Sequence, residues 1–96
     1  MTYKLKFLPS ALKEWKKTAP SIQSQFKKKL KERLITPRHQ ADQLRGFTDV
    51  YKIKLRAVGY RLVYEVSDEE ITIFIVAVGK RERGKVYSDL AKRLQK

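Results

Sequence analysis

Apolar and polar residues alternate with unusual regularity in the stretch VYKIKLRAVGYRLVYEV, residues 50–66. Lys52, Lys54 and Arg56 occupy one parity, and Tyr51, Ile53 and Leu55 the other. Alternate residues of a strand point to opposite faces, so this pattern predicts strands over 50–56 and 60–66, one face apolar and one cationic. The run ITIFIVAV within 71–79 is apolar at both parities, as expected for a central strand covered on both sides. Near the start, TYKLKFL (2–8) alternates Tyr3, Leu5 and Phe7 with Lys4 and Lys6, a half-buried strand at an edge. Gly59 and the acidic SDEE at 67–70 supply the turns between the later strands.

Elsewhere the period is helical. Pro9 sits in the first turn of a short helix capped by Leu8 or Ser10, with Ala11, Leu12 and Trp15 on its apolar side. Pro20 opens a second helix in which Ile22, Phe26, Leu30 and Leu34 form an inward stripe. The basic run KKKLKER lies on its outer face, and Pro37 ends it. Residues 38–49 read as a loop, and 82–95 as a last helix with Val86, Leu90 and Leu94 inward. The order βααβββα predicts one α+β domain over residues 1–96. Its small, twisted, mainly antiparallel four-stranded sheet carries an N-terminal helical hairpin and a C-terminal helix.

Charge changes the picture most. Lys plus Arg number 23 against 10 acids, a formal charge of +13 over 96 residues. That is well beyond the roughly 2–8 charges that keep a small domain soluble, so a polyanionic partner is expected, nucleic acid first. The chain has no cysteine, which excludes disulfides and thiolate chemistry. No apolar run approaches the roughly 18 residues of a membrane span, and the N-terminus lacks a signal-peptide stretch; the expected compartment is the cytoplasm.

A hairpin centred on Val58-Gly59 with an even number of turn residues places Arg61 on the face of Lys52 and Lys54. Gly79 lets the chain turn, Arg81 and Arg83 leave the end of the last strand, and Tyr87 lies one helical turn beyond Arg83. Two readings of these residues stand side by side: an ordinary solvated basic surface, and a face that binds RNA or DNA. His39 is the only histidine and falls in a loop. No cluster of His, Asp and Glu has metal-ligand spacing, and neither a phosphate loop nor a catalytic triad can be assembled. Any catalysis would run on Lys, Arg and Tyr, with no metal and no cofactor.

The segments ALKEWKK, QFKKKLKERL, LRG, YKIKLR, GYRLVYEV and VGKRER followed after Gly84 by KVY closely resemble the RelE toxins of bacterial toxin–antitoxin systems, over essentially the whole chain. The resemblance implies the microbial-ribonuclease-like RelE fold. It also implies an endoribonuclease that cuts mRNA in the A site of the 70S ribosome and is neutralised by a RelB-type antitoxin. DNA would be contacted only through the toxin–antitoxin complex. The family's catalytic positions fall on Lys52, Lys54, Arg61, Arg81 and Tyr87. Contacts to RNA and the ribosome, 16S rRNA included, are expected from Arg45, Arg56, Arg83, Lys13, Lys17, Lys27, Lys28 and Lys31. Other branches of the superfamily have lost the nuclease residues and inhibit gyrase, which keeps a non-nucleolytic toxin as the alternative.

The chemistry implied is attack by the 2′-OH of RNA on the adjacent phosphate. Tyrosine ordinarily has a pKa of about 10, too high for a base at neutral pH. Arg81, Lys52 and Lys54 around Tyr87 would favour its phenolate. Arg61 and Arg81 suit bidentate contact with phosphate oxygens. Lys54 assists the base, and Lys52 is the candidate donor to the leaving 5′-oxygen.

Overall fold

The computed structural model describes residues 2–44 and 46–80. Strand β1 (Lys4–Phe7) leads into helices α1 (Pro9–Lys17) and α2 (Pro20–Ile35), and then strands β2 (Val50–Leu55), β3 (Tyr60–Ser67) and β4 (Thr72–Lys80) follow. The helix expected over 82–95, with Val86, Leu90 and Leu94, lies outside the described residues, as do Arg45, Arg81, Arg83 and Tyr87. The loop before β2 contains a turn of 3₁₀ helix at Gln40–Asp42, which the polar composition of 38–49 did not signal.

The strands form one sheet in the order β1-β4-β3-β2. β1 runs parallel to β4, and the other pairings are antiparallel. The fully apolar strand β4 is therefore central and the alternating β1 is an edge, as the pattern predicted. Helices α1 and α2 each begin with proline at the first position, where the missing N–H costs no hydrogen bond.

One sheet face packs against the helices. Tyr51, Ile53, Leu55, Leu62, Tyr64, Val66, Ile73, Ile75 and Val78 meet Ala11, Phe26 and Leu30 there. Each large side chain so buried contributes about 1.5–3 kcal/mol. The opposite face has a smaller cluster of Leu44, Val50, Val63, Val76 and Ala77. The β3–β4 register shifts between Val63, opposite Ala77, and Tyr64, opposite Ile75. Val76 is the extra residue, and the shift hands the helix-facing parity from Ile75 to Val78.

Three expectations need correction. Arg33 is not on the outer face of α2: it is buried at 8% exposure. Its guanidinium donates to the Tyr64 hydroxyl at 2.9 Å and to Asp42 at 2.6 Å, and Tyr64 donates onward to the Pro37 carbonyl at 2.6 Å. Burial works against the Arg33 charge, but the hydrogen bonds with Tyr64 and Asp42 outweigh it and hold its pKa above the ordinary value. Leu12 is exposed, because Ala11 and Trp15 alone turn α1 towards the core. Gly79 does not turn the chain; it lies within β4, paired with Arg61.

Candidate nucleic-acid interface

The β2–β3 hairpin builds the site. Its strands pair Lys54 with Arg61 and Lys52 with Val63. Directly opposed residues of an antiparallel pair share a face, their Cβ atoms about 4.5–5.5 Å apart. Lys52, Lys54 and Arg61 therefore stand on one face, the one turned away from the helices, and all three are half-buried. Residues 56–59 form the turn, an even number, closed by Gly59 N–H donating to the Leu55 carbonyl at 2.9 Å. Gly59 takes a positive φ of 69°, a conformation that favours glycine.

The row continues across the sheet: Lys54 on β2, Arg61 on β3 and Gly79 on β4. Among the described residues, a Cβ built on Gly79 meets nothing within 4 Å, and its φ is not in the left-handed region. The glycine thus adds no side chain of its own beside Arg61. At the hairpin end a recess of about 340 Å³ is lined by Lys54, Leu55, Arg56, Gly59, Tyr60 and Arg61. Arg56 falls beyond the end of β2, in the turn, so strand alternation does not orient it as expected. It nonetheless lines the same recess as Lys54 and Arg61.

The lysines expected to touch rRNA are placed differently. Lys13 and Lys17 on α1, and Lys27, Lys28 and Lys31 on α2, are exposed in the helical layer, across the sheet from Lys52, Lys54 and Arg61. His39 is exposed in its loop. Among the described residues no group of three or more His, Cys, Asp or Glu could hold a metal ion, and no helix is long and apolar enough to cross a membrane.

Other cations serve the scaffold. Arg38 donates to Asp49 at 3.1 Å and to both oxygens of Asp68 at 3.0 Å, and the Tyr3 hydroxyl donates to Asp68 at 2.6 Å. Its hydrogen bonds to Asp49 and Asp68 hold Arg38 well above its ordinary pKa, and Arg38 with Tyr3 holds the Asp68 carboxyl below its own. This cluster joins β1, the loop before β2 and the turn before β4 at the sheet end remote from the hairpin turn. At the other border of β4, the Glu14 carboxylate of α1 accepts the Val78 N–H at 3.2 Å. The β1 pairing stops at Ile75, so Glu14 takes over a backbone donor that the shorter edge strand leaves behind.

Sequence comparison is consistent with this geometry. The sequence model of one family, described as the ParE toxin of the type II toxin–antitoxin system parDE, matches residues 5–84. The mRNA interferase toxin RelE of Escherichia coli K12 is 54% identical over 94 residues, spanning 98% of this chain and 99% of the relative. A solved structure of E. coli toxin RelE in the free state, an arginine-to-alanine double variant, superposes with a TM-score of 0.90 at 52% identity, covering 98% of this chain and 99% of that one. The toxin in the intact E. coli RelBE toxin–antitoxin complex superposes with a TM-score of 0.81 at 54% identity, covering 84% and 99% of the two chains.

Proposed function

Since the chain belongs to the RelE/ParE toxin family of type II toxin–antitoxin systems, we propose that it is an mRNA interferase of the RelE kind, cutting mRNA in the ribosomal A site. The observation that carries this reading is the cross-strand pair of Lys54 and Arg61, with Lys52 on the same face and Gly79, which has no side chain, paired with Arg61 on the next strand. Cations gathered on one face of a hairpin attract the charge of a phosphate. Their attraction is greatest where the phosphate gains charge, in the transition state.

The reaction forms a bond between the 2′-oxygen and phosphorus and breaks the bond to the 5′-oxygen. It leaves a 2′,3′-cyclic phosphate and a free 5′-OH. Tyr87, with Lys54, takes the 2′-OH proton; Lys52 returns one to the leaving oxygen. Arg61 and Arg81 hold the non-bridging oxygens through the charge build-up, each such contact worth about 10²–10³ in rate. In-line alignment of the 2′-OH contributes roughly 7–11 kcal/mol more, and the ribosome supplies it. Lys13, Lys17, Lys27, Lys28 and Lys31, exposed in the helical layer, would meet 16S rRNA while the opposite face meets mRNA. The cytoplasm follows as the working compartment.

Neutralisation belongs to a RelB-type antitoxin, as the E. coli toxin–antitoxin complex suggests. An acidic segment of it laid over the hairpin face would occupy the phosphate's place. The family description names ParE, and gyrase inhibition is the second reading. The E. coli mRNA interferase matches nearly the whole chain at 54% identity, which favours the first. Primer extension on mRNA with and without ribosomes decides: ribosome-dependent cuts that vanish with Arg61→Ala support the interferase. A block of DNA replication with intact mRNA rejects it.

A further inference from the structure

A second recess, of about 320 Å³, opens on the other side of Arg56, lined by Gln25, Lys29, Lys54, Leu55, Arg56 and Ala57. It shares Lys54, Leu55 and Arg56 with the recess at the cross-strand pair. The two form one furrow that turns around the β2 edge towards α2. Gln25, Lys29 and Arg33 follow each other at four-residue spacing, so they form one ridge of α2. Arg33 tucks this ridge against Tyr64. One turn earlier the same ridge brings Lys29 to the hairpin end, whereas Lys27, Lys28 and Lys31 do not line the recess.

The charge pattern separates this place from the cations that hold the fold. Arg33 and Arg38, which hold the fold, are matched with Asp42, Asp49 and Asp68. Neither recess has an acid among its described lining residues. Gln25 adds an amide donor beside two cations, a set suited to the two non-bridging oxygens of a phosphodiester.

We propose that Gln25, Lys29 and Arg56 form a second phosphate subsite, which holds the RNA backbone next to the scissile linkage and directs the strand around the β2 edge towards α2. The inference rests on the hairpin face binding RNA as proposed above. It assigns Lys29, in place of its neighbours on α2, to mRNA.

The test uses uncleavable single-stranded RNA, 2′-O-methylated throughout, with each phosphate in turn replaced by a neutral methylphosphonate. Binding is measured at low salt for the wild-type protein, Lys29→Ala, Arg61→Ala, and Lys6→Ala as a charge-matched control on the distant edge strand. One linkage, distinct from the linkage to which Arg61→Ala is blind, should weaken wild-type and Lys6→Ala binding about three- to fivefold when neutralised and leave Lys29→Ala unaffected. Lys29→Ala should also lower the slope of log affinity against log salt by about 0.7. Three results overturn the subsite: a linkage profile identical in Lys29→Ala and wild type, no wild-type binding at low salt, or a Lys29→Ala defect seen only with an acidic peptide. Because the probe cannot be cut, a failure of ribosomal cleavage would reject the nuclease reading and leave this result standing.

Discussion

Replacing Tyr64 with Phe tests what holds the sheet against α2. The ring is fully buried, and its stack on Tyr51, centroids 5.7 Å apart, survives the change. Only the hydroxyl is lost. That leaves the Arg33 guanidinium without its 2.9 Å acceptor and the Pro37 carbonyl without its 2.6 Å donor. Each buried group deprived of a partner costs about 1–3 kcal/mol; Arg33 keeps Asp42, so the loss should be about 2–4 kcal/mol, a large share of the roughly 5–15 kcal/mol typical of a domain. At about 4–8 °C per kcal/mol the melting temperature falls by roughly 8–32 °C. Guanidinium denaturation should show a lower midpoint at an unchanged slope. Adding Arg33→Met removes the guanidinium that has lost this acceptor, so the double variant should lose at least about 1 kcal/mol less than the sum of the singles. A Tyr64→Phe loss below about 0.5 kcal/mol, or strict additivity, refutes the assignment. The pH dependence adds a check. Burial raises the Tyr64 pKa, and Arg33 opposes it only in part. A folded-state pKa above the unfolded one means stability present below about pH 10 and lost as pH rises beyond it. Tyr64→Phe should flatten that alkaline loss.

Gly79→Val, whose Cβ meets no described residue within 4 Å, should lower ribosomal cleavage at least about tenfold by placing a branched side chain beside Arg61. Equal activity with Val at this position would show that substrate does not use the space beside Arg61. Glu14→Ala should speed amide exchange at Val78 without touching amides in the β2–β3 ladder, and Glu14→Gln should restore much of the protection. Arg38 and Tyr3 hold Asp68 below its ordinary pKa, so its contribution to stability is present above about pH 4 and disappears as pH falls through the folded-state value. Denaturation midpoints of Asp68→Asn should therefore vary less between pH 5 and pH 2 than those of wild type.

Patterns with short periods were readable in the chain, and partnerships across long separations were not. Alternation at Tyr51–Leu55 and the even turn before Tyr60 sufficed to put Arg61 on the face of Lys52 and Lys54, because strand geometry is local. Unbroken apolar character marked β4 as central for the same reason. Arg33 misled because its charge argued for solvent, while its partners Tyr64 and Asp42 lie 31 and 9 residues away. Its position three residues after Leu30, beside the apolar stripe, was the one available signal. Lys29 shares that ridge and was lost among its neighbouring lysines. Gly79 resembled a turn residue by composition, whereas it continues β4 in register with Arg61. Arg56 fell outside β2 by one residue, enough to free it from the alternation.

The central claim is that the hairpin cations serve a phosphate attacked by its own neighbouring 2′-OH. Single-turnover cleavage of mRNA in a programmed A site measures this directly, with ribose or 2′-deoxyribose at the scissile nucleotide. The account predicts a cut ending in a 2′,3′-cyclic phosphate on ribose, slowed about 10²–10³-fold by Arg61→Ala, and no cut on the deoxy substrate. Cleavage of the deoxy substrate at the ribose rate would contradict it.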